Sequence, residues 1–199
     1  MAKLQIYGDS ISGNCLKPKW TADLLGVPHD WHETSVMAGA TRTPDYLKIN
    51  PWGQVPIAIL PDGRKLAQSN AIALHIAEGS RLIPGDAYDR AKMWEWLFWE
   101  QYSHETTIAV RRFRVTYMKQ DEATLDPALL TKGTAALAYM DAALAGRKYF
   151  TGDALSIADI ALVAYTRWAP EGGFDLQPHR NVVTWIARVE DDLGLPHAL

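Results

Sequence analysis

The sequence predicts an α/β unit of βαβ–ββα order followed by an all-helical unit, and three observations carry that expectation. Near residue 80 the texture changes, as short apolar runs punctuated by Gly and Pro give way to long helical patterns. Before that point, strand-like and helix-like segments alternate. After it, "YDRAKMWEWLFWEQYSHETTIAVRRFRVTYMKQ" keeps apolar residues at helical spacing for roughly thirty positions with no internal Pro or Gly. The expected limits are 1–79 for the first unit, 80–88 for a linker and 89–199 for the second.

Each element has a local reason. "KLQIYG" reads as a first strand. A helix follows from about Asn14 to Leu25 and closes at Gly26, a residue that tolerates the positive φ common at helix C-termini. "HDWHETSV" is the second strand and Pro44 to Lys48 a short helix. "PIAIL" and "RKLAQ" flank Pro61-Asp62-Gly63, whose Pro presets the turn dihedral and whose Gly permits positive φ, so the pair forms a hairpin. A helix starts at Ser69, and "EGSRLIPGDAYD" reads as the linker, rich in turn residues. Beyond it lie one long or bent helix and further helices from Pro127 to about Leu144, Ser156 to about Trp168 and Asn181 to about Leu193. In "LSIAD", Ser156 caps a helix start, Asp159 reaches back to it and Leu155 staples to Ile160, which is a folding signal and not a site. No internal repeat or low-complexity segment interrupts the pattern.

Composition excludes several classes. At 199 residues and 48% hydrophobic the chain buries a sizeable core. Twenty basic against 23 acidic residues leave a net charge of −3, which is not the footprint of a nucleic-acid binder. No run of 18 apolar residues is present, and "MAKLQIYGDS" lacks the apolar segment of a signal peptide, so no membrane partner and a cytoplasmic location are expected. A lone cysteine, Cys15, rules out an intrachain disulfide, a CxxC pair and a multi-thiolate zinc site. His29 and His32 lie in a strand-like segment without a third ligand nearby, so no metal is expected.

Two loops carry chemical promise. In "NPWGQVPIAIL" the Val55-Pro56 step removes a ladder donor at a strand start, leaving an edge to which a peptide can add by strand-like hydrogen bonds. In "AQSNAIALHIA" the helix start at Ser69 offers a hydroxyl, backbone N–H groups and a positive dipole end, which suit a carboxylate. A small peptide bearing a carboxylate fits both.

Taken in order, "LQIYGDSISGNCLKPKWTADLLGVP", "LKINPWGQVPIAILPDGRKLAQSNAIALHIAE" and "YFTGDALSIADIAL" resemble the cytosolic glutathione transferases, over nearly the whole chain and in particular the bacterial, serine-type members akin to the theta and zeta classes. The resemblance implies a thioredoxin-like N-terminal domain, an all-α C-terminal domain, a homodimer, glutathione as co-substrate and an electrophile held between the domains. It implies that Pro56 is a cis-proline, that Val55 pairs backbone to backbone with the cysteinyl part of glutathione, and that Gln68 and Ser69 hold its γ-glutamyl end. Many relatives have Glu at the position of Gln68; the amide keeps hydrogen-bond acceptance but gives up charge pairing with the glutamyl ammonium. The glycyl carboxylate needs a basic or amide partner, for which Gln54 and Arg42 are the candidates; a solvated side chain is the alternative for Arg42.

In such a protein the turn after the first strand presents a hydroxyl or thiol beside the glutathione sulfur. Ser12 is the leading candidate, since a hydroxyl and a helix dipole together stabilise a thiolate whose free pKa is about 8.5; its structural alternative is a plain helix cap. Asn14 can supply the same donor. Cys15 can form a mixed disulfide, or pack as a small buried side chain. Ser10 can help position the thiolate or simply hydrogen-bond within the turn. Trp99, Tyr102, Arg111 and Arg112 are candidates for the electrophile pocket, although adjacent helical positions lie about 100° apart, so one arginine is expected in solvent or at the dimer seam. His104 belongs to an aromatic, helix-packing stretch. Eight tryptophans and an aromatic-rich helix too long for one small domain to cover also point to a homodimer. The expected reaction is conjugation of glutathione thiolate to a small hydrophobic electrophile. The alternatives are a thiol transferase or dehalogenase using Cys15, a non-catalytic glutathione-fold binding protein, and a maleylacetoacetate-type isomerase, against which "SGN" in place of that class's Ser-Ser-Cys run counts.

Overall fold

The computed structural model describes residues 2–199. Its contacts divide the chain into two compact units, the first ending at Ile83 and the second running from Pro84 to Leu199.

In the first unit, β1 (Leu4–Gly8), α1 (Gly13–Leu24), β2 (His29–Glu33), α2 (Pro44–Ile49), β3 (Ile57–Ile59), β4 (Lys65–Ala67) and α3 (Ser69–Ala77) follow in chain order. The sheet order is β2-β1-β3-β4, with β1 and β2 parallel and the remaining pairs antiparallel. This is the βαβ–ββα arrangement of a thioredoxin-like unit. Alternation along β1 explains which side is core: Leu4, Ile6 and Gly8 are buried, and Leu4 and Ile6 cluster with Ala22 of α1, Ala58 of β3 and Ile72 of α3. Tyr7 faces the other side, where its ring meets the edge of Tyr46 from α2.

The hairpin closes as its residues require: Gly63 has φ +87° and donates to Leu60 O, while Leu60 N–H donates to Arg64 O. The observed strands are shorter than expected, most of all the second. β2 ends at Glu33 because its partner β1 ends at Gly8, whose carbonyl takes a last bond from Thr34 N–H at 2.7 Å, so "TSV" lies beyond the strand. His29 and His32 have opposite parity on β2 and face opposite sides of the sheet; His32 stacks on Tyr7 at 4.4 Å.

The second unit is all helical. α4 (Ala87–Trp99) is capped by Asp86, which accepts from Tyr88 and Asp89 N–H groups. It runs on without a break through wide π-type turns over Glu100–Ala109, an α-turn at Val110–Arg112 and a second π stretch, Phe113–Tyr117. The expected single helix is therefore present, wound more loosely than sequence periodicity reveals. α5 (Pro127–Ala143), α6 (Ile157–Thr166) and α7 (Arg180–Leu193) complete it. Every residue of α6 is buried, which makes it the central helix of this unit. At its start Asp159 accepts from Ser156 N–H and Oγ, as "LSIAD" predicts, and also from Phe150 N–H and Trp185 Nε1. Among the described residues no helix is long and apolar enough to cross a membrane.

Candidate glutathione site

The first unit brings two helix starts together. Ser12 is the N-cap residue of α1, with φ −96° and ψ 117°, and its side chain makes no capping hydrogen bond. The plain-cap alternative therefore does not describe it. Its carbonyl accepts from Cys15 and Leu16 N–H, and its hydroxyl hydrogen-bonds the Cys15 thiol. Two residues on, Asn14 Oδ1 accepts from Ser69 Oγ at 3.3 Å, so the first residue of α3 is tied to the first turn of α1 across 55 positions of sequence. Lys17 Nζ donates to the same oxygen at 2.8 Å.

The turn between β1 and α1 is fastened from below. Asp9 accepts from Ile11 N–H through Oδ1 and from Val36 N–H through Oδ2, and Ser12 N–H donates to Asp9 O. Ser10 donates from its N–H and Oγ to Glu33 Oε1, whose other oxygen takes the Trp31 indole N–H. Desolvation works to raise the Glu33 carboxyl, but these donors win and hold it below its ordinary value. Ser10 thus positions the turn.

Cys15 is the third residue of α1, within its first turn, and is buried. Burial pushes its thiol up to about 11, against the lowering effect of the Asp9 backbone and the Ser12 hydroxyl. A side chain at Gly8 would stand 2.9 Å from Cys15 Cβ and 2.3 Å from Trp31, so the missing Cβ at Gly8 is what lets both pack there. A thiol so placed is neutral at physiological pH and is a poor nucleophile.

The loop before β3 has its own clamp. Gln54 O accepts from Tyr46 Oη and from Asn50 Nδ2, each at 2.7 Å, and the Val55-Pro56 bond that follows is cis. Ladder pairing begins only at Ile57, so Val55 precedes the paired strand. Arg42 reaches Trp52 O with Nη1 at 3.4 Å and packs where a Gly53 side chain would otherwise project, 2.5 Å from its position. Gln54 itself is exposed. Gln68, just before α3, takes φ +73° and ψ 116°, a backbone conformation that costs a non-glycine residue on the order of 1–3 kcal/mol and clusters at ligand clamps.

In the second unit, Trp99 and Tyr102 line a cavity of about 570 Å³ between the long helix and α5, together with Thr106, Leu129, Lys132 and Tyr139. Arg111 and Arg112 are not part of that lining. Neither is solvated, which corrects the expectation for one of them. Arg111 Nη2 donates to Glu122 Oε2. Arg112 donates to Glu171 Oε2 at 2.7 Å and to Tyr117 Oη at 2.8 Å, and lies 4.3 Å from the Trp168 ring centre. Two carboxylates on different segments serve two adjacent arginines, so helical spacing did not have to leave either one in water. His104 is buried with Nε2 2.8 Å from Thr166 Oγ1.

Sequence inspection missed Lys17, the Asn14–Ser69 tie and the Tyr46–Asn50 clamp. One signal was available: Gly13, Lys17, Trp20 and Leu24 follow one face of α1, and a lysine within that otherwise uncharged row is unusual.

The chain thus joins a thioredoxin-like unit, in which two helix starts converge and a cis-proline loop precedes β3, to an all-helical unit. Comparison with known sequences identifies the family. Residues 11–78 match the N-terminal domain of glutathione S-transferase and residues 100–192 its C-terminal domain. Glutathione S-transferase 3 of Zea mays is 30% identical over 168 residues, covering 80% of this chain and 75% of the relative. A glutathione S-transferase structure from Pseudomonas fluorescens Pf-5 aligns with a TM-score of 0.90 at 41% identity over 95% of each chain. One from Xanthobacter autotrophicus Py2 aligns with a TM-score of 0.88 at 43% identity over 98% of this chain and 95% of the other. The chain belongs to the glutathione transferase family, whose co-substrate is glutathione.

Proposed function

We propose that this enzyme ionises glutathione at Ser12 and adds the thiolate to a small hydrophobic electrophile. The observation that carries it is the Asn14–Ser69 hydrogen bond, which draws the N-termini of α1 and α3 together. One dipole end then serves the γ-glutamyl carboxylate at Gln68 and Ser69, and the other serves the sulfur at Ser12. Val55 pairs with the cysteinyl backbone, and Arg42 or Gln54 meets the glycyl carboxylate. In the reaction the thiol proton leaves to solvent and the thiolate forms a C–S bond to the electrophilic carbon; the displaced electron pair departs with a halide, stays on an epoxide oxygen, or moves onto an enone carbonyl, the last two being protonated from water. The Ser12 O–H donates to sulfur beforehand and gives up no proton. Rate comes from ionising and orienting the nucleophile.

A cavity of about 570 Å³ bordered by Trp99 and Tyr102 supports a small, partly aromatic second substrate. The high pKa of Cys15 disfavours the thiol-transferase alternative. The test is a calorimetric titration with glutathione followed by turnover of a panel of aryl halides, epoxides and enones. Saturable binding with conjugation of at least one of these supports the proposal, and binding without conjugation makes this a glutathione-binding protein only.

A cytoplasmic homodimer completes the proposal. Trp94 and Phe98 of α4 and Tyr102 of the π-type stretch after it recur at four-residue intervals and are 40%, 69% and 86% exposed, with the first two rings stacked at 5.9 Å. So much aromatic surface on a single chain calls for cover. Sedimentation at micromolar concentration should give about twice the 22.2 kDa chain mass, and Phe98→Ser should shift it toward the monomer. A wild-type monomer at that concentration would overturn the assignment.

A further inference from the structure

We infer that the cavity of the second unit takes an aromatic ring bearing a carboxylate or similar anionic group, held by the Lys132 ammonium. The inference rests on that cavity serving the second substrate, as proposed above. The sequence of α5 makes the hollow. Ala128, Lys132, Ala135 and Tyr139 recur at three- and four-residue intervals, so they share one face of the helix, and the two alanines leave space on either side of the lysine stem. From the long helix, Trp99 at the end of α4 and Ser103 in the π-type stretch supply the facing wall. The Trp99 and Tyr139 rings lie 5.2 Å apart and give the cavity its apolar surface.

The polar groups of this lining are mostly donors that the fold leaves over. Lys132 Nζ, Ser103 Oγ, Tyr139 Oη and the Trp99 indole N–H have no hydrogen-bond or ion-pair partner among the described residues. An ammonium and an indole N–H can only donate. Asp126, the one carboxylate of the lining, is already engaged: its Oδ1 accepts from Ala128 N–H at 2.9 Å as the cap of α5, and no ion pair joins it to Lys132 among the described residues. The Thr106 and Thr107 hydroxyls donate to backbone carbonyls of their own helix. A positive charge without a counter-ion therefore stands beside two ring systems. The ligand that answers both brings apolar area for the rings and a charged acceptor for the ammonium, and a planar aryl carboxylate does so. A cationic ring would meet Lys132 with like charge, and a neutral one would leave it unanswered. Lys132 is exposed, so the attraction is open to screening by salt.

The probes are an unreactive pair of nearly equal shape, 4-nitrobenzoate and 4-nitrobenzamide, titrated calorimetrically into the intact chain. The benzoate should bind about tenfold more tightly, a difference of about 1.4 kcal/mol. In about 1 M salt, where the screening length is about 3 Å, most of that preference should vanish. Lys132→Met should weaken benzoate binding about tenfold and change benzamide affinity by less than about twofold, while Lys132→Arg should keep the preference for the anion. Circular dichroism establishes that both variants fold, as expected for an exposed position. Equal affinity for the two probes in the wild type, a preference that survives Lys132→Met, an equal loss of both probes, or tighter binding of 4-nitrobenzylammonium would each overturn the inference. Turnover separates it from the second-substrate role. Glutathione thiolate should displace chloride from 4-chloro-3-nitrobenzoate, the C–S bond forming as chloride leaves with the C–Cl pair, with a KM that rises in Lys132→Met. A Lys132-dependent aryl-carboxylate site that yields no conjugate supports the ligand class and overturns the second-substrate role. Conjugation of neutral aryl halides without any Lys132-dependent preference keeps that role and overturns the inference.

Discussion

Ser12→Ala should raise the apparent pKa of enzyme-bound glutathione by about one to two units and lower turnover near neutral pH about ten- to a hundredfold. A hydrogen bond to a charged acceptor contributes about 1.5–3 kcal/mol, and about 1.36 kcal/mol corresponds to one pKa unit. The Ser12 side chain makes no cap bond and its hydroxyl hydrogen-bonds the Cys15 thiol, so on substrate binding it exchanges that neutral sulfur for the glutathione thiolate. The shift follows in sign: removing a donor to the thiolate destabilises only the ionised form, so the pKa moves up and a smaller share of bound glutathione is reactive at pH 7. Ground-state affinity should stay within a few-fold, since most of the peptide is held elsewhere. Thiolate absorbance against pH reads the shift directly. Cys15→Ala is the control, and its titration and turnover should stay near wild type, because a buried thiol pushed up to about 11 supplies no nucleophile. Normal thiolate titration in Ser12→Ala with collapse in Asn14→Ala would transfer the role to the amide. Collapse in Cys15→Ala alone, with a glutathione adduct on the wild-type protein by mass, would make this a thiol transferase.

The largest effect on stability is expected at Asp159, a residue to which no chemistry is assigned. Its two oxygens accept from Phe150 N–H and Trp185 Nε1 at 3.0 Å each, and from Ser156 N–H at 3.0 Å and Oγ at 2.8 Å. Burial pushes this carboxyl above its ordinary value, and the donors oppose that rise. Asp159→Ala would strand several buried donors, each costing on the order of 1–3 kcal/mol, so a net loss of about 3–5 kcal/mol is expected. At about 2–4 °C per kcal/mol for a chain of this size, the melting temperature should fall by roughly 6 °C or more. Asp159→Asn keeps one acceptor oxygen and imitates the protonated side chain, so it should fall between the two. A melting temperature for Asp159→Ala within a degree of wild type would show that the network contributes nothing to the fold.

The same residue marks where sequence stops being informative. Ser156 and Asp159 are three apart, and their reciprocal bonds are a local property of a helix start, legible in "LSIAD". Phe150 and Trp185 reach that carboxylate from segments 9 and 26 positions away, and nothing in their neighbourhoods announces it. The candidate site divides likewise. Ser12, Val55-Pro56 and the Ser69 helix start each carry a signal in a short window: a turn before a helix, a proline at a strand start, a hydroxyl at an N-terminus. That Asn14 would join Ser69, that Lys17 would be buried beside them and that Gln68 would take a positive φ depend on how α1 and α3 are brought together.

Helix and strand identities, the hairpin turn and the caps were determined by the sequence itself, because the free energies that select them act between residues a few positions apart, through φ/ψ preference, side-chain spacing and capping bonds. Tertiary structure alone decided the state of each chemically ambiguous side chain. The Cys15 thiol is pushed up because the folded chain buries it, beside Gly8 whose missing Cβ leaves it room. Arg111 and Arg112 are both buried because Glu122 and Glu171 arrive from other segments to receive them. Lys17 faces an amide oxygen instead of water because α1 turns that row of its surface inward. Desolvation and charge pairing depend on which atoms the rest of the chain supplies within a few ångströms, and that neighbourhood exists only once the chain has folded.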